Sequence, residues 1–442
     1  MTSRKIPKRI STAIVNSLSA GVVPRVGLEY IAVGRKDEIE ALLHDLNNVA
    51  EGGASFRFII GRYGSGKSFM LQLLRNHAMD RGFVVADVDL SPERRLTGSN
   101  GSGLATYREL MHNLSTKTRP DGGALAAIFE RWISTIQANV AKNGELHPND
   151  AAFHTAVEHQ IMDTIVDMEG MVHGFDFATV LSHYWRGHHL GDDSLKEAAL
   201  RWLHGEFSTK TEARQALGVR VIIDDDDWYD YVKLMAKFVA GIGYKGLLLV
   251  IDEAVNLYKI SQTISRTNNY EKLLTMFNDT MQGKAEHLGL LIGGTADFME
   301  DTHRGLYSYE ALKSRLVSSR YANDNYRDTS GPVIRLNMLN HAEIYLLLTR
   351  LRDIFDGHYQ HQSAVNEDDL KLFMQEVLNR LGAEALLTPR EVIRDFLSVL
   401  NILRQNPELS FHEIIQGSGF RPTQPGDDPD VEVDSPYAEF SL

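Results

Sequence analysis

The feature of the sequence that most constrains its fold is the octapeptide GRYGSGKS at Gly61–Ser68. An apolar run precedes it at Phe56–Ile60, and a segment rich in helix-forming residues follows it at Ser68–Met79. The glycines of the octapeptide let the backbone curl so that several N–H groups point inward and form a nest for an anion. A helix that begins near Lys67 directs the positive end of its dipole at the same anion. The pattern GxxxxGK[ST] between a strand and a helix therefore predicts a loop that binds the phosphates of a nucleotide.

The polar residues of this loop have separate predicted roles. Lys67 is expected to bridge the β- and γ-phosphates of the nucleotide. The hydroxyl of Ser68 is expected to ligate Mg²⁺. The predicted nucleotide-binding residues of this segment are Gly61, Gly64, Ser65, Gly66, Lys67, Ser68 and Phe69.

A second motif reads GLLLVIDEA at Gly246–Ala254, where an apolar run leads directly into Asp252 and Glu253. A carboxylate at the end of a buried strand beside a phosphate loop is suited to hold Mg²⁺, directly or through water. We assign this role to Asp252 and expect Glu253 to orient or polarise the attacking water. A strand that merely ends in a polar turn is the alternative interpretation, and the phosphate loop upstream favours the functional one.

Apolar runs recur along the chain with helical stretches between them, such as Tyr270–Gln282. Buried parallel strands are typically continuous apolar runs, so these segments predict the strands of one sheet. Strand–helix alternation indicates an α/β fold, here a three-layer sandwich around a parallel sheet. The predicted strands are Phe56–Ile60, Phe83–Leu90, Leu247–Ile251, Leu288–Gly293 and Val333–Leu336.

The long interval between the second and third predicted strands is rich in helix formers and has few strand-like runs. It is interpreted as an all-α insertion, with a set of long surface helices packed on the core as the alternative. A further helical region after the last strand predicts a C-terminal helical lid domain. The predicted divisions are an N-terminal segment (1–28), a first core part (29–103), the insertion (104–220), a second core part (221–338), the lid (339–418) and an acidic, flexible tail (419–442).

Composition excludes several classes of protein. The 442 residues include no cysteine, so disulfides, thiolate metal sites and cysteine nucleophiles are ruled out. The apolar runs are too short to span a membrane, and no apolar stretch of the kind found in a secretory signal follows the basic N-terminus, so we expect a cytoplasmic protein without membrane contact. The net charge of −13 argues against a wholly basic nucleic-acid coat but leaves room for a local basic groove.

Two further clusters favour structural roles. The histidines at positions 183, 188 and 189 lack a recognised ligand pattern, so packing or surface roles are favoured over a metal site. The run Asp224–Asp227 precedes the helical stretch Trp228–Val239 and is interpreted as a helix N-cap, with a partner contact or second cation site as the alternative.

Several segments resemble AAA+ ATPases of the initiator-like branch. YIAVGRKDE at Tyr30–Glu38 is similar to the GRxxE element that precedes the phosphate loop in that branch. The resemblance implies that Ile31, Val33 and Gly34 lie near the adenine. It also implies that Thr295, which follows the fourth predicted strand, is the sensor 1 residue and contacts the γ-phosphate or the water.

The same resemblance implies two arginines that respond to the nucleotide. YEALKSRL is similar to the segment that presents an arginine finger, and Arg315 is the best match, with Arg304 and Arg320 as alternatives. TPREVIRDF resembles sensor 2, so that Arg390 would reach the nucleotide from the lid. Independently of the resemblance, phosphoryl transfer needs positive charge on the departing γ-phosphate, which an arginine supplies in cis or in trans.

The chain as a whole resembles the ATP-binding proteins of BREX-type phage-defence clusters. The segments that carry this resemblance are Ile6–Pro24, GRYGSGKS, Trp185–Asp192, Gly243–Ala254 and Leu290–Phe298. It covers nearly all of residues 6–416 and implies ATP and Mg²⁺ as cofactors. It also implies a helicase or another defence protein as partner.

Together these motifs predict an AAA+ ATPase that hydrolyses ATP, self-associates, and remodels or loads a nucleic-acid or nucleoprotein complex in anti-phage defence. DNA is left open as a ligand, because no residue shows DNA binding by itself. The alternative is an ATP-gated switch or scaffold with little turnover that recruits a helicase or nuclease. A small-molecule kinase fits poorly, because such kinases rarely need both an Asp-Glu pair and a lid arginine.

Overall fold

The structure is a computed structural model. It describes residues 6–98, 101–144, 147, 150–317, 328–361, 365–381, 388–417, 420 and 422. The predicted acidic tail therefore lies outside the described residues, except for Phe420 and Pro422.

Five strands form one sheet in the described part of the chain, in the order β2-β3-β4-β1-β5. The pairs β2–β3, β3–β4 and β4–β1 are parallel. The strands are nearly all buried along their length, which explains why both of their faces are apolar. The mixed α/β fold with a parallel sheet is thus confirmed. The strands are β1 Ala54–Gly61, β2 Val84–Asp89, β3 Leu247–Asp252, β4 Leu288–Gly294 and β5 Val333–Leu336.

Helices occupy the intervals where helical periodicity predicts them. Those up to β3 are α1 Lys8–Ser19, α2 Leu28–Ile31, α3 Lys36–Ala50, α4 Lys67–Asp80, α5 Ser102–His112, α6 Leu125–Gly144, α7 Ala151–Glu169, α8 Gly174–Leu190, α9 Asp193–Leu203, α10 Lys210–Leu217 and α11 Trp228–Gly241. Those after β3 are α12 Val255–Tyr258, α13 Thr263–Met281, α14 Ala296–Glu300, the 3₁₀ turn Leu306–Ser308, α15 Glu310–Leu316, α16 His341–Tyr359, α17 Glu367–Leu381, α18 Pro389–Gln405 and α19 Phe411–Gln416. Among the described residues, no helix is long and apolar enough to cross a membrane.

The chain divides into two compact units. The first comprises residues 1–37, 61–73 and 335–442, and the second comprises residues 38–60 and 74–334. In the second unit, the buried side chains of the sheet and of the helices between β2 and β3 belong to one continuous apolar cluster. Those helices therefore pack on the core of the sheet, while their status as a separate insertion domain stays a prediction, as do the lid and the other boundaries.

Aromatic side chains fill the helical part of that cluster. Phe129 and Trp132 of α6 both pack on Phe238 of α11, with ring centroids 5.1 and 5.2 Å apart. All three side chains are almost completely buried. Aromatic pairs at these distances stabilise a core beyond the area that they bury.

The first compact unit has its own apolar contacts. Helix α1 packs against α16 and α18 and buries Ile14, Val15 and Leu18. The Ser11 hydroxyl and the His358 ring nitrogen Nδ1 are 3.0 Å apart, which adds a polar contact between α1 and α16. The N-terminal segment is therefore part of a folded unit.

Asp227 is the residue at the N-terminus of α11, as expected, but its side chain does not cap that helix. Instead, Asp227 Oδ1 accepts a hydrogen bond of 2.9 Å from the backbone N–H of Asp224, and Asp224 Oδ1 accepts from Asp226. The acidic residues 224–227 are thus held in a turn by hydrogen bonds to one another.

Candidate functional site

The loop before α4 has the backbone conformation that an anion nest requires. Gly64 and Gly66 have φ angles of +78° and +88°, a region that glycine enters without steric cost. The backbone N–H of Ser65 donates to the carbonyl of Arg62 over 3.1 Å and closes a tight turn between them. Helix α4 then begins at Lys67. Alternation of left-handed and right-handed residues ahead of a helix directs backbone N–H groups to one side, where a phosphate can accept from them.

The Lys67 side chain lies along this same loop. Its Nζ donates hydrogen bonds to the carbonyls of Gly61 and Arg62, over 3.1 and 3.0 Å. The ammonium group is thus held within the turn of the loop, beside the groups that the sequence predicts to meet the phosphates. Ser68 is exposed and Phe69 is half-buried at the start of α4.

Arg35 fixes the loop from the N-terminal side. Its buried guanidinium donates to the carbonyl of Ser65 over 2.9 Å and also to the carbonyl of Asn337. Both bonds come from Nη2, whose two N–H groups can reach two carbonyls at once. Arg35 was not among the site residues predicted from the sequence. The signal was present, since Arg35 is the arginine of the GRKDE motif.

The start of α18 contacts the phosphate loop within the first compact unit. Arg390 Nη1 donates to the Tyr63 hydroxyl over 2.5 Å, and Arg390 Nε lies 3.2 Å from where a Cβ on Gly21 would stand. A Cβ added to Gly64 would lie 2.5 Å from the Cβ of Thr388. The predicted sensor 2 arginine, Arg390, therefore contacts the phosphate loop by a hydrogen bond to Tyr63. Tyr63 was not among the site residues predicted from the sequence.

The residues predicted to lie near the adenine are in the same compact unit. Ile31 and Val33 are buried, and Gly34 has a φ of +66°. A Cβ on Gly34 would overlap the carboxylate of Glu343, which would have to move, and the positive φ itself favours glycine. The carbonyl of Ala32 accepts a 2.5 Å hydrogen bond from Arg350 Nη1.

Replacing Gly64 by alanine is expected to destabilise the fold more than replacing Gly66. Both changes force alanine into positive φ, at a cost of about 1 kcal/mol. Only Gly64→Ala also creates a clash, with Thr388, and such overpacking costs about 1–3 kcal/mol more. Gly66→Ala is the matched control, because the nearest atom to its added Cβ lies 4.0 Å away. The urea midpoint of unfolding without nucleotide measures the difference, and equal midpoints would contradict the packing described above.

The end of β3 carries the predicted acidic pair in the second compact unit. Glu253 has a φ of +55°, which is costly for a residue with a side chain. Its backbone N–H donates to Asp252 Oδ1 over 2.8 Å, and Asn256 Nδ2 donates to the carbonyl of Leu90 over 2.8 Å. These bonds hold the chain in the strained turn that follows β3. Such strain concentrates at functional sites, which supports a specific role for Glu253.

A third carboxylate, Asp89, is the register partner of Asp252 across β2 and β3. Burial, followed by the nearby charges of Asp252 and Asp87, raises the pKa of Asp89 above its ordinary value. Asp89 was not among the site residues predicted from the sequence. The available signal was an apolar strand that ends in aspartate, as β3 does.

Thr295 follows directly after β4 and is the N-cap residue of α14. Its hydroxyl oxygen accepts a 3.3 Å hydrogen bond from the backbone N–H of Phe298. An accepting hydroxyl still has its own hydrogen to donate, so this capping bond is compatible with the predicted sensor 1 role. In register, Ile60 of β1 pairs with Gly294, so Thr295 lies at the carboxyl edge of β4, next to the end of β1.

The candidate arginine fingers differ in their surroundings. Arg304 is held internally, because its guanidinium lies 5.3 Å from the Tyr258 ring centroid and its carbonyl accepts from the Tyr270 hydroxyl over 2.7 Å. Arg315, in the last turn of α15, has a 2.6 Å hydrogen bond from Nη1 to the carbonyl of Ala311, and the side chain is exposed. Arg320 lies outside the described residues. The surroundings therefore favour Arg315 over Arg304.

The predicted site residues are thus found in two groups. The phosphate loop, the adenine residues and Arg390 belong to the first compact unit. The acidic pair, Thr295 and Arg315 belong to the second.

A parallel sheet with a glycine-rich loop after one strand and a helix that begins at lysine fits the class of P-loop nucleotide-binding proteins. The family model of BREX system ATP-binding proteins, BrxC/D, matches residues 6–418. The chain therefore belongs to this family, and membership implies ATP binding within a phage-defence system. Among curated proteins, none matches the chain.

Proposed function

We propose that this chain is an AAA+ ATPase that hydrolyses ATP with Mg²⁺ and uses the cycle to remodel or load a nucleic-acid or nucleoprotein complex in phage defence. The observation that carries the proposal is the loop Gly61–Ser68 in nest conformation, leading into α4, in a chain that belongs to an ATP-binding family. The strained Glu253 after an acidic strand end adds a candidate for water activation.

The proposal divides the chemistry among the named residues. Backbone N–H groups of the loop and Lys67 Nζ would bind the phosphates, and Thr295 would contact the γ-phosphate or the attacking water. Glu253 would accept a proton from the water as it attacks phosphorus. The adenine would lie near Ile31, Val33 and Gly34.

Mg²⁺ fits the donors that are available. Asp252 offers a carboxylate oxygen at the end of β3, and Ser68 offers a hydroxyl at the start of α4. Mg²⁺ prefers such oxygen ligands and keeps several of its waters, so few protein ligands are needed. When bound, the ion would neutralise charge on the phosphates.

Arg390 and Arg315 would supply the remaining positive charge. The contact of Arg390 with Tyr63 gives the lid helix α18 a direct route by which it could respond to the phosphate loop. Arg315 is exposed, so it is available to a neighbouring copy of the chain, which is the reason to propose self-association. A helicase or another defence protein is the proposed further partner.

Mixing two inactive variants tests whether Arg315 acts on a neighbouring subunit. Glu253→Gln and Arg315→Ala are each expected to release little phosphate from ATP alone. An equimolar mixture should recover activity, because the intact Glu253 of one subunit can meet the intact Arg315 of the next. Random pairing in a ring predicts about a quarter of the wild-type rate. Steady-state phosphate release across a range of protein concentrations measures the activity that the mixture recovers.

Arg304→Ala serves as the control in the mixing experiment. Arg304 is held by the Tyr258 ring, and its carbonyl is held by Tyr270, so Arg304→Ala should lower stability. Arg304→Ala keeps both Glu253 and Arg315. Its mixture with Glu253→Gln should therefore show only the activity of the sites that contain an intact Glu253, with no additional recovery. If Arg315→Ala retains wild-type turnover at every protein concentration, a catalytic role of Arg315 at a neighbouring subunit is excluded. Tight ATP binding without turnover in the wild type would favour the alternative function, an ATP-gated switch that recruits a helicase or nuclease.

A further inference from the structure

Two histidines and a glutamate converge in the second compact unit, and none of the three is assigned a role with ATP. Among the described residues, His112, His204 and Glu206 place one ligand atom each within 4.8 Å of one another. The two imidazole rings stack with centroids 4.5 Å apart and planes 11° apart. His112 Nε2 lies 3.2 Å from Glu206 Oε1.

The backbone around this cluster is fixed by the end of α9. The N–H of Glu206 donates to the carbonyl of Arg201 over 3.0 Å, and the N–H of Gly205 donates to that of Trp202 over 2.9 Å. With Gly205 at a φ of +71°, these bonds form a Schellman motif, which turns the chain and places Glu206 beside His204. Arg108 Nε also donates to the Gly205 carbonyl over 2.8 Å and joins this turn to α5.

The charge environment of the cluster is mixed. His112 is the last residue of α5 and His204 caps the end of α9, so both rings lie at helix C-termini, where a positive charge is favoured. The positive charge of Arg201 disfavours a further cation at the cluster, because Arg201 Nε lies 4.0 Å from Glu206 Oε2. Glu212 partly offsets that charge, since its Oε1 accepts a 3.0 Å hydrogen bond from Arg201. Burial, followed by the charge of His112, lowers the pKa of His204 below its ordinary value.

We propose that His112, His204 and Glu206 form a binding site for a divalent transition-metal ion of the Zn²⁺ type, with water in the fourth position. Two imidazole nitrogens and one carboxylate oxygen are a common zinc donor set, and they distinguish this ion from the Mg²⁺ of the phosphate chemistry. The stacked rings must open slightly for both nitrogens to face one ion. His112 can make this adjustment, because 53% of its side chain is exposed.

Zinc binding to the full-length protein tests the proposal without reference to ATP turnover. The chain has 17 histidines and no cysteine, so variants must separate this site from weaker histidine sites. Calorimetric titration with Zn²⁺ is expected to show one tight equivalent in the wild type. His204→Ala and Glu206→Gln should each weaken that equivalent by about tenfold or more. His159→Ala, on the exposed face of α7, should leave it unchanged.

A Co²⁺ titration gives a second readout, visible absorption, which does not rely on the heat of Zn²⁺ binding. Co²⁺ in a site of low coordination number has strong visible absorption, and this should appear in the wild type and be lost in Glu206→Gln, whose substitution preserves side-chain size. Equal Zn²⁺ affinity in the wild type, His204→Ala and Glu206→Gln would overturn the proposal. The cluster would then be a polar contact of His112 with Glu206 that holds no metal.

Discussion

Replacing Glu253 by glutamine should stop ATP turnover while leaving ATP binding intact. Glutamine has the same shape, but it cannot accept a proton from the attacking water, and loss of a general base typically costs about 10²–10⁴-fold in rate. The backbone bond from residue 253 to Asp252 Oδ1 does not depend on the side chain, so the turn after β3 should persist. Phosphate release and equilibrium ATP binding, measured on one preparation, separate the two effects.

Glu271→Gln is a suitable control for this substitution. Glu271 is exposed on α13 in the same compact unit, and it loses the same charge without touching the acidic strand end. Its turnover should equal that of the wild type. If Glu253→Gln hydrolysed ATP at the wild-type rate, the role assigned to Glu253 would be wrong, and Asp89 would become the next carboxylate to test.

Replacing Lys67 by alanine should weaken ATP binding strongly. A charge-assisted hydrogen bond to a phosphate contributes about 1.5–3 kcal/mol, which corresponds to a loss of affinity of about 10–100-fold. The substitution also removes the bonds from Nζ to the carbonyls of Gly61 and Arg62, so the loop loses an internal contact as well. Competition of ATP against a fluorescent analogue measures the change in affinity.

Lys117→Ala is the matched control for Lys67→Ala. Lys117 is an exposed lysine whose Nζ lies 3.1 Å from Asp80, so its loss changes the net charge equally without reaching the phosphate loop. Its ATP affinity should remain within about twofold of the wild type, since surface ion pairs contribute little. An unchanged affinity in Lys67→Ala would show that the phosphates bind elsewhere.

The sheet could be predicted from the sequence because both faces of its strands are buried. β3 and β4 show continuous apolar runs that are each followed by a polar residue. The observed β3 reaches Asp252, and β4 ends at Gly294, directly before Thr295. The long helices are equally clear, since their apolar side chains repeat at helical spacing. The order of the strands was not available from these local patterns, because it depends on which runs pair across long stretches of chain.

Local motifs identified the ends of the strands and the loop, but not the contacts between distant segments. Arg35 contacts the phosphate loop, and Tyr63 of that loop contacts α18, through hydrogen bonds that span many residues of sequence. The same limit applies to His112 and His204, which are far apart in the chain and meet only because α5 and the end of α9 pack together. The adjacent histidines of α8 drew attention instead, and His183 Nδ1 lies 2.8 Å from a backbone oxygen of its own helix.

The most direct test of the central claim is phosphate release from ATP by the purified wild-type chain, with and without Mg²⁺, beside Lys67→Ala purified in the same way. We expect Mg²⁺-dependent phosphate release by the wild type and none by Lys67→Ala, because Lys67 is proposed to bind the phosphates of the ATP that is hydrolysed. Release that is equal in the two proteins, or that does not need Mg²⁺, would contradict the account.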